Sequence, residues 1–541
     1  MTANLITLLV LLPAALAAIL AMTGKRSPGL SRGISLAGVA VLLVVSLGLL
    51  LSGQGDTPQV IELGSWAAPF GIVWVFDRLS GLMVVLTSIV AMLSLLYAVR
   101  RDEDSAGPHF HALFQAQLFG LNGAFLTGDL FNLFVFFEVL LLASYGLLLH
   151  GNGRKRTRAG FHYVVVNLIG STLFLFAVGA LYGTVGSLNL ADITLKLPQV
   201  APDAVPIVTT AIFLLFVVFL IKGAAFPLYL WLPGAYGYAS IPVAALFAIM
   251  TKVGLYSVLR VDSVMLSGNS IGGLVETTAL IAPWLLWLGL ITLLLAALGV
   301  MSGRFLRRQV AYLIIASVGT ILIALGLVTG SERELAISGA LFYWIHTTVL
   351  SAGFFLLAGL LMRHRPGTGD GIEPGPPVPH AVLIGSLFFA YAIAMAGLPP
   401  LTGFFGKVMI LAAAMESPLM APIFAVVLVS GLIMVIALAR SGSRLFYQSQ
   451  AIPGHPAHST PRDARTKVPG LSLAIVPLAI ATVMVVGANP LSAWLDVTAE
   501  QISTPSGYLE AVMPDGILSP DTAPGKYGQD YPDYPDNEGG H

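Results

Sequence analysis

The chain has 541 residues, of which 56% are hydrophobic and 10% charged, with a mean hydropathy of +0.87. A soluble domain carries about 25% charged residues, so this composition excludes a soluble globular protein and indicates a polytopic membrane protein. There is no cysteine, which rules out disulfides, cysteine-bound zinc and cysteine-ligated iron–sulfur clusters in this chain; the formal net charge is zero, so electrostatics must come from where the charges lie.

Because roughly 20 apolar residues cross a bilayer, about fourteen spans are expected, making the fold an all-α polytopic membrane protein. They cover residues 5–23, 33–52, 77–98, 109–127, 130–149, 160–184, 207–236, 239–261, 280–302, 308–329, 335–361, 380–413, 420–442 and 469–489. Lys25 and Arg26 follow the first apolar run instead of preceding it, the wrong order for a signal peptide. Most other basic residues fall in alternate loops, such as Arg154, Lys155, Arg156 and Arg158 after the fifth span and Arg304, Arg307 and Arg308 after the ninth; Arg462, Arg465 and Lys467 precede the last. The opposite face holds only Arg78, Lys196, Arg260, Arg333 and Lys526. Basic loops stay in the cytoplasm, so both termini are expected outside it. Many acidic residues lie in the polar segment from Asp496 to Glu538, which is expected to be disordered.

Ionisable residues inside spans are expensive and mark functional sites by default. The set here is short: Glu138 in the fifth span, Lys222 in the seventh, Lys252 in the eighth, His346 in the eleventh and Lys407 in the twelfth. Glu138 lies about nine residues beyond Asp129, which at 1.5 Å per residue places it near the bilayer centre. The seventh span, FVVFLIKGAAFPLYLWLPGAY, is interrupted by Gly223, Pro227, Pro233 and Gly234 beside its lysine, and the twelfth, GLPPLTGFFGKVMIL, by Pro399 and Pro400 before its own. Broken backbone at membrane depth is tolerated where protein or water covers it, and paired breaks in two halves suggest an internal repeat.

A lysine held away from water favours its neutral form, and a nearby carboxylate restores the charge, so a Glu–Lys pair can act as a switch. A histidine between lysines can pass a proton onward. Bland readings compete. Glu138 and Lys222 also read as a packing ion pair, Lys252 as a lysine snorkelling to an interface, Lys407 as a partner for freed carbonyls, and His346 as a core histidine. Asp77 and Arg78 look like an interfacial pair opening the third span. No two of His109, His111, His150 and His162 show a metal-ligand arrangement, and no cofactor motif stands out.

KGAAFPLYLWLPGAY followed by IPVAALFAIMTKVGLYSVLR, with LRRQVAYLIIASVGT and GLPPLTGFFGKVMIL, resembles the antiporter-like membrane subunits of respiratory complex I and of Mrp-type cation/proton antiporters, over about residues 70–445. The length after the last span is similar to the D-type Mrp subunits. The resemblance implies an N-terminal three-helix segment (1–108), two inverted five-helix repeats (109–262, helices 4–8; 280–445, helices 9–13), a final helix (469–489) and an acidic polar tail (490–541), with helices 7 and 12 broken. By motif match, Glu138, Lys222, Lys252, His346 and Lys407 take the family's proton-relay positions. Tyr236 stands where many relatives have histidine and Ser351 where several have lysine, which leaves more of the route to water.

The resemblance further implies a proton-conducting subunit of a hetero-oligomeric Na+ (or K+)/H+ antiporter in a bacterial cell membrane. It would be a secondary transporter subunit rather than an enzyme, without cofactor, metal or nucleic acid, with other Mrp subunits and membrane lipid as partners. One alternative is a proton-pumping subunit of a complex I-like NADH:quinone oxidoreductase or membrane-bound hydrogenase. Another is an assembly scaffold whose lysines are structural.

Overall fold

Backbone groups in hydrocarbon must be satisfied within the chain, so long apolar runs fold as helices. The computed structural model describes residues 2–23, 27–66, 68–327, 332–365, 367–376, 378, 380–448, 470–514 and 516. The basic residues Lys25, Arg26, Arg462, Arg465, Lys467 and Lys526, and the tail 517–541, lie outside them. The first half contains α1 (Thr2–Thr23), α2 (Pro28–Leu51), α3 (Arg78–Arg100), α4 (Phe110–Leu126), α5 (Leu130–Leu149), α6 (Arg154–Val185), α7 (Leu190–Lys196), α8 (Val205–Gly223), α9 (Trp231–Tyr238), α10 (Ile241–Leu246) and α11 (Met250–Val261). The second contains α12 (Thr277–Ser302), α13 (Leu306–Leu325), α14 (Glu332–His364), α15 (Ala381–Ala396), α16 (Thr402–Ala413), α17 (Met420–Gly442), α18 (Leu471–Val486), α19 (Ala488–Ser503) and α20 (Ser506–Val512). A short antiparallel ribbon, β1 (Gln59–Glu62) with β2 (Val73–Phe76), joins α2 to α3.

Among the described residues, 11 helices are long and apolar enough to cross a membrane, or 12 if α18 and α19, bent by 83° at their junction, form one span. The fold is thus an all-α polytopic membrane architecture. Fewer spans meet that length than the sequence suggests because α4 has 17 residues and the second break divides 380–413 into helices of 16 and 12. The segment 241–266, α13 and α14 are the most enclosed; α1, α2, α6 and α17 keep most of their surface outward.

Small residues set the spacing of the central helices. At Gly254 on α11, a Cβ would stand 2.5 Å from both Gly223 N and Phe219 O of α8, so only glycine permits this approach. That contact joins the helix carrying Lys222 to the helix carrying Lys252.

Two sequence expectations are corrected. Asp77 and Arg78 do not pair with each other. Asp77 caps α3 through the Ser80 N–H (2.8 Å) and takes both terminal nitrogens of Arg260 on α11 at 2.5 and 2.8 Å, while Arg78 pairs with Asp56 at 2.8 Å. An N-cap carboxylate turns back over its own first turn, here toward α11.

The segment from Asp496 is not disordered as far as Val512. Trp494, Leu495, Thr498, Ala499 and Ile502 form one face of α19, and Leu495, Thr498, Ala499 and Ile502 are buried. Ser338 donates to Asp496 at 2.6 Å, and Gln501 donates to the carbonyls of Gly55 and Asp56 at 2.9 and 3.0 Å. The Tyr508 ring of α20 lies 5.5 Å from the Arg260 guanidinium, covering the Asp77–Arg260 pair.

Candidate functional site

Both expected breaks are present. α8 stops at Gly223, where Ala224 takes a left-handed φ of 58°. The freed groups are satisfied locally: the Trp231 indole donates to Ile221 O at 3.2 Å, and Phe226 N–H donates to Thr292 Oγ1 at 2.9 Å. Pro227 lies in the break, whereas Pro233 lies in the first turn of α9, where proline fits. In the second break α15 stops at Ala396, Gly397 turns with φ 80°, and Pro399 and Pro400 precede α16.

Lys222 is the penultimate residue of α8 and is buried. It does not touch Glu138 directly. Its Nζ donates to Ser171 Oγ at 3.3 Å and to Asn167 O at 3.3 Å, both on α6, and Ser171 Oγ donates to Glu138 Oε1 on α5. The Phe137 ring lies 5.8 Å from the ammonium. A hydroxyl therefore stands between the two charges, able to accept from one and donate to the other. Glu138 is only partly buried. It belongs to an outward stripe on α5 with the exposed Phe131, Val135 and Leu142.

Beside Lys222 a cavity lined by Phe137, Tyr163, Asn167, Trp231, Met250 and Val253 leaves about 20 Å³ open to water, room for one molecule. Met250 and Val253 belong to α11, so the cavity lies between Lys222 and the helix that carries Lys252. Lys252 is buried and donates to Ser317 Oγ of α13 at 2.6 Å; it does not snorkel.

His346 of α14 is buried, with Nδ1 2.6 Å from Thr402 Oγ1 at the start of α16. Among the described residues its buried Nε2 has no hydrogen-bond partner. Lys407 reaches back across the second break and donates to Ala396 O, at the end of α15, at 2.8 Å. On its other side it borders a cleft of about 380 Å³ between the second break and α17, lined by Phe404, Val408, Val427, Leu428 and Gly431 among others.

The five ionisable residues thus lie on five separate helices, α5, α8, α11, α14 and α16. Among the described residues no direct hydrogen bond joins Lys222 to Lys252, or Lys252 to His346. Tyr236 is fixed, its hydroxyl donating to Phe247 O at 2.8 Å, while the buried Ser351 Oγ has no partner among the described residues. Sequence reasoning missed Ser171, Ser317 and Thr402, the hydroxyls touching four of the five. One signal was available for Ser171: Tyr163, Asn167 and Ser171 recur every four residues on α6, a polar stripe inside an apolar span.

The family model described as "NADH:quinone oxidoreductase/Mrp antiporter, TM" matches residues 127–434, which include every one of these positions. The chain belongs to the NADH:quinone oxidoreductase/Mrp antiporter membrane family. It is 37% identical to the probable D-type K(+)/H(+) antiporter subunit of Rhizobium meliloti (strain 1021), over 94% of this chain and 97% of that protein. It is also 37% identical to the D-type Na(+)/H(+) antiporter subunit of Alkalihalophilus pseudofirmus, over 94% of this chain and 99% of that protein. A chain in the solved structure of the Mrp complex from Dietzia sp. DQ12-45-1b matches with a TM-score of 0.78 and 25% identity, covering 95% of this chain and 99% of that one.

Proposed function

We propose that this chain is the D-type, proton-conducting membrane subunit of a multisubunit monovalent cation/proton antiporter, working with the other subunits of such a complex in a bacterial cell membrane. The observation that carries the reading is the hydrogen-bonded line Lys222–Ser171–Glu138 at the end of a broken helix. In one concerted step the Lys222 ammonium gives a proton to Ser171 Oγ while Ser171 gives its own to Glu138. Lysine is left neutral and glutamate protonated, with no net charge created in the low-dielectric interior. Glu138, on an outward stripe, then exchanges its proton with an adjoining subunit.

Lys252, His346 and Lys407 continue the relay. Water in the cavity beside Lys222 connects it to α11, Ser317 orients Lys252, and His346 takes and passes a proton through the nitrogen that has no fixed partner. Lys407 exchanges at the second break. The arrangement fits fourteen helices with two inverted repeats, 109–262 and 280–445, a final helix at 469–489, and both termini outside the cytoplasm. The exported cation is Na+ in the leading form of this reading; relatives named for K+ and for Na+ make K+ the alternative.

Everted membrane vesicles containing the whole complex test this. Adding Na+ is expected to collapse a preformed pH gradient, with K+ less effective, and vesicles lacking this chain are expected to keep the gradient. Co-purification with flavin or iron–sulfur subunits, and no cation-driven proton movement, would overturn it.

A further inference from the structure

The relay leaves one built cavity unexplained. A pocket of about 510 Å³ lies where the second half of the first broken helix meets the connection from α12 to α13. Leu230, Pro233 and Gly234 form one wall; Gly303, Arg304 and Arg308 form the other. This is the face on which the basic loops gather, at the end of a membrane helix. Cations there meet the phosphate layer of a bilayer.

Among the described residues the charge at this pocket is uncompensated. On the same turn of α13, Arg307 is paired with Asp370 at 3.0 Å. Among the described residues neither Arg304 nor Arg308 has a carboxylate partner. Arg308 is held in place instead: it donates to Tyr238 OH at 2.5 Å, and its guanidinium lies 5.0 Å from the Tyr238 ring and 5.5 Å from the Phe305 ring. The Arg304 side chain is exposed and makes no hydrogen bond within the described residues.

Directly below the cations the surface turns apolar. Leu298, Ile291, Trp287 and Trp284 are exposed in one stripe running down α12 from the pocket. From Ser302 to Ile291 the stripe extends about 16 Å at 1.5 Å per residue, the depth of one leaflet. Two unpaired guanidiniums above an apolar strip of leaflet length match a phosphate headgroup above its acyl chains, a match that a free phosphate ion lacks.

We infer that this pocket binds an anionic phospholipid, with its phosphate between Arg304 and Arg308 and its acyl chains along the outward stripe of α12. The lipid spans the junction between α9 and α13, and so braces the cytoplasmic end of the broken helix against the second half of the chain.

The test uses the whole antiporter complex in detergent, with a photoactivatable phosphatidylglycerol whose crosslinks are mapped to peptides of this chain. Crosslinks are expected within 228–234 and 302–312. Arg304→Gln should weaken half-saturation roughly fivefold and Arg304→Gln/Arg308→Gln roughly thirtyfold, taking each cation as one surface charge lost. Arg304→Gln removes no hydrogen bond within the described residues, so it reports on the site even if the double variant folds poorly. Phosphatidylcholine should crosslink far less, and millimolar inorganic phosphate should not displace the lipid. Unchanged half-saturation in Arg304→Gln would overturn the inference. So would equal capture of phosphatidylcholine, full displacement by phosphate, or lipid crosslinks that map only to a neighbouring protein of the complex.

Discussion

At the scale of single residues, the decisive feature is that a serine stands between Glu138 and Lys222. A hydrogen bond to a charged group contributes about 1.5–3 kcal/mol, so removing the bridge should matter without unfolding the site. Ser171→Ala is expected to slow cation-driven proton flux roughly tenfold or more while the complex still assembles; flux within twofold of wild type would count against the bridge. Outside the spans, Asp104 offers a pH test. Burial opposes its ionisation, but hydrogen bonds from His111 (3.0 Å) and Arg32 (2.6 Å) outweigh it and hold the carboxyl down from 3.8 to about 2. A carboxyl with a lowered folded value stabilises above the unfolded value and loses that contribution as pH falls toward 2. Thermal unfolding of the complex should therefore show Asp104→Asn less stable than wild type at pH 7, the difference shrinking between pH 4 and 2. A constant difference across that range would remove Asp104 as the cause.

The charged members of the site were legible in the sequence because a charge in hydrocarbon needs a reason. Glu138, Lys222, Lys252, His346 and Lys407 announce themselves in this way. Ser171, Ser317 and Thr402 do not, since a hydroxyl in a span can satisfy itself on its own helix: Ser171 lies 3.1 Å from Asn167 O, and Ser317 donates to Ile314 O at 2.6 Å. Only the tertiary contacts separate these serines from ordinary ones.

At the scale of elements, the line depends on how closely α8 and α11 pack. Gly254→Val would drive two methyl groups into the α8 backbone, and overpacking of this kind typically costs about 1–3 kcal/mol. A lower melting temperature and reduced flux are expected for Gly254→Val. Gly179→Ala, with nothing within 4 Å of the added atom, should leave both unchanged. Similar behaviour of the two variants would show that the α8–α11 spacing is not limiting. The breaks themselves were readable, because Pro227 and Pro400 cannot continue a regular helix and the glycines beside them, Gly223 and Gly397, favour its end. How the first break is repaired was not: the indole of Trp231 and the hydroxyl of Thr292 reach their partners there from 10 and 66 residues away.

At the scale of the whole molecule, the composition and the spacing of apolar runs were enough for the membrane architecture. They were not enough for the C-terminal segment, whose amphipathic face is short and set among polar residues. That segment returns to the body of the protein, where Tyr508 covers the buried Asp77–Arg260 pair. Truncating a buried aromatic typically costs about 3–5 kcal/mol, so Tyr508→Ala should lower the melting temperature of the complex clearly. An unchanged melting temperature would mean that α20 is not part of the folded body.

The central claim is that Lys222 carries the proton. In proteoliposomes holding the complete complex, cation-driven proton flux measured with a pH-sensitive dye should fall to background in Lys222→Ala, with subunit composition unchanged. Flux preserved in Lys222→Ala, in a complex that assembles normally, would contradict the account.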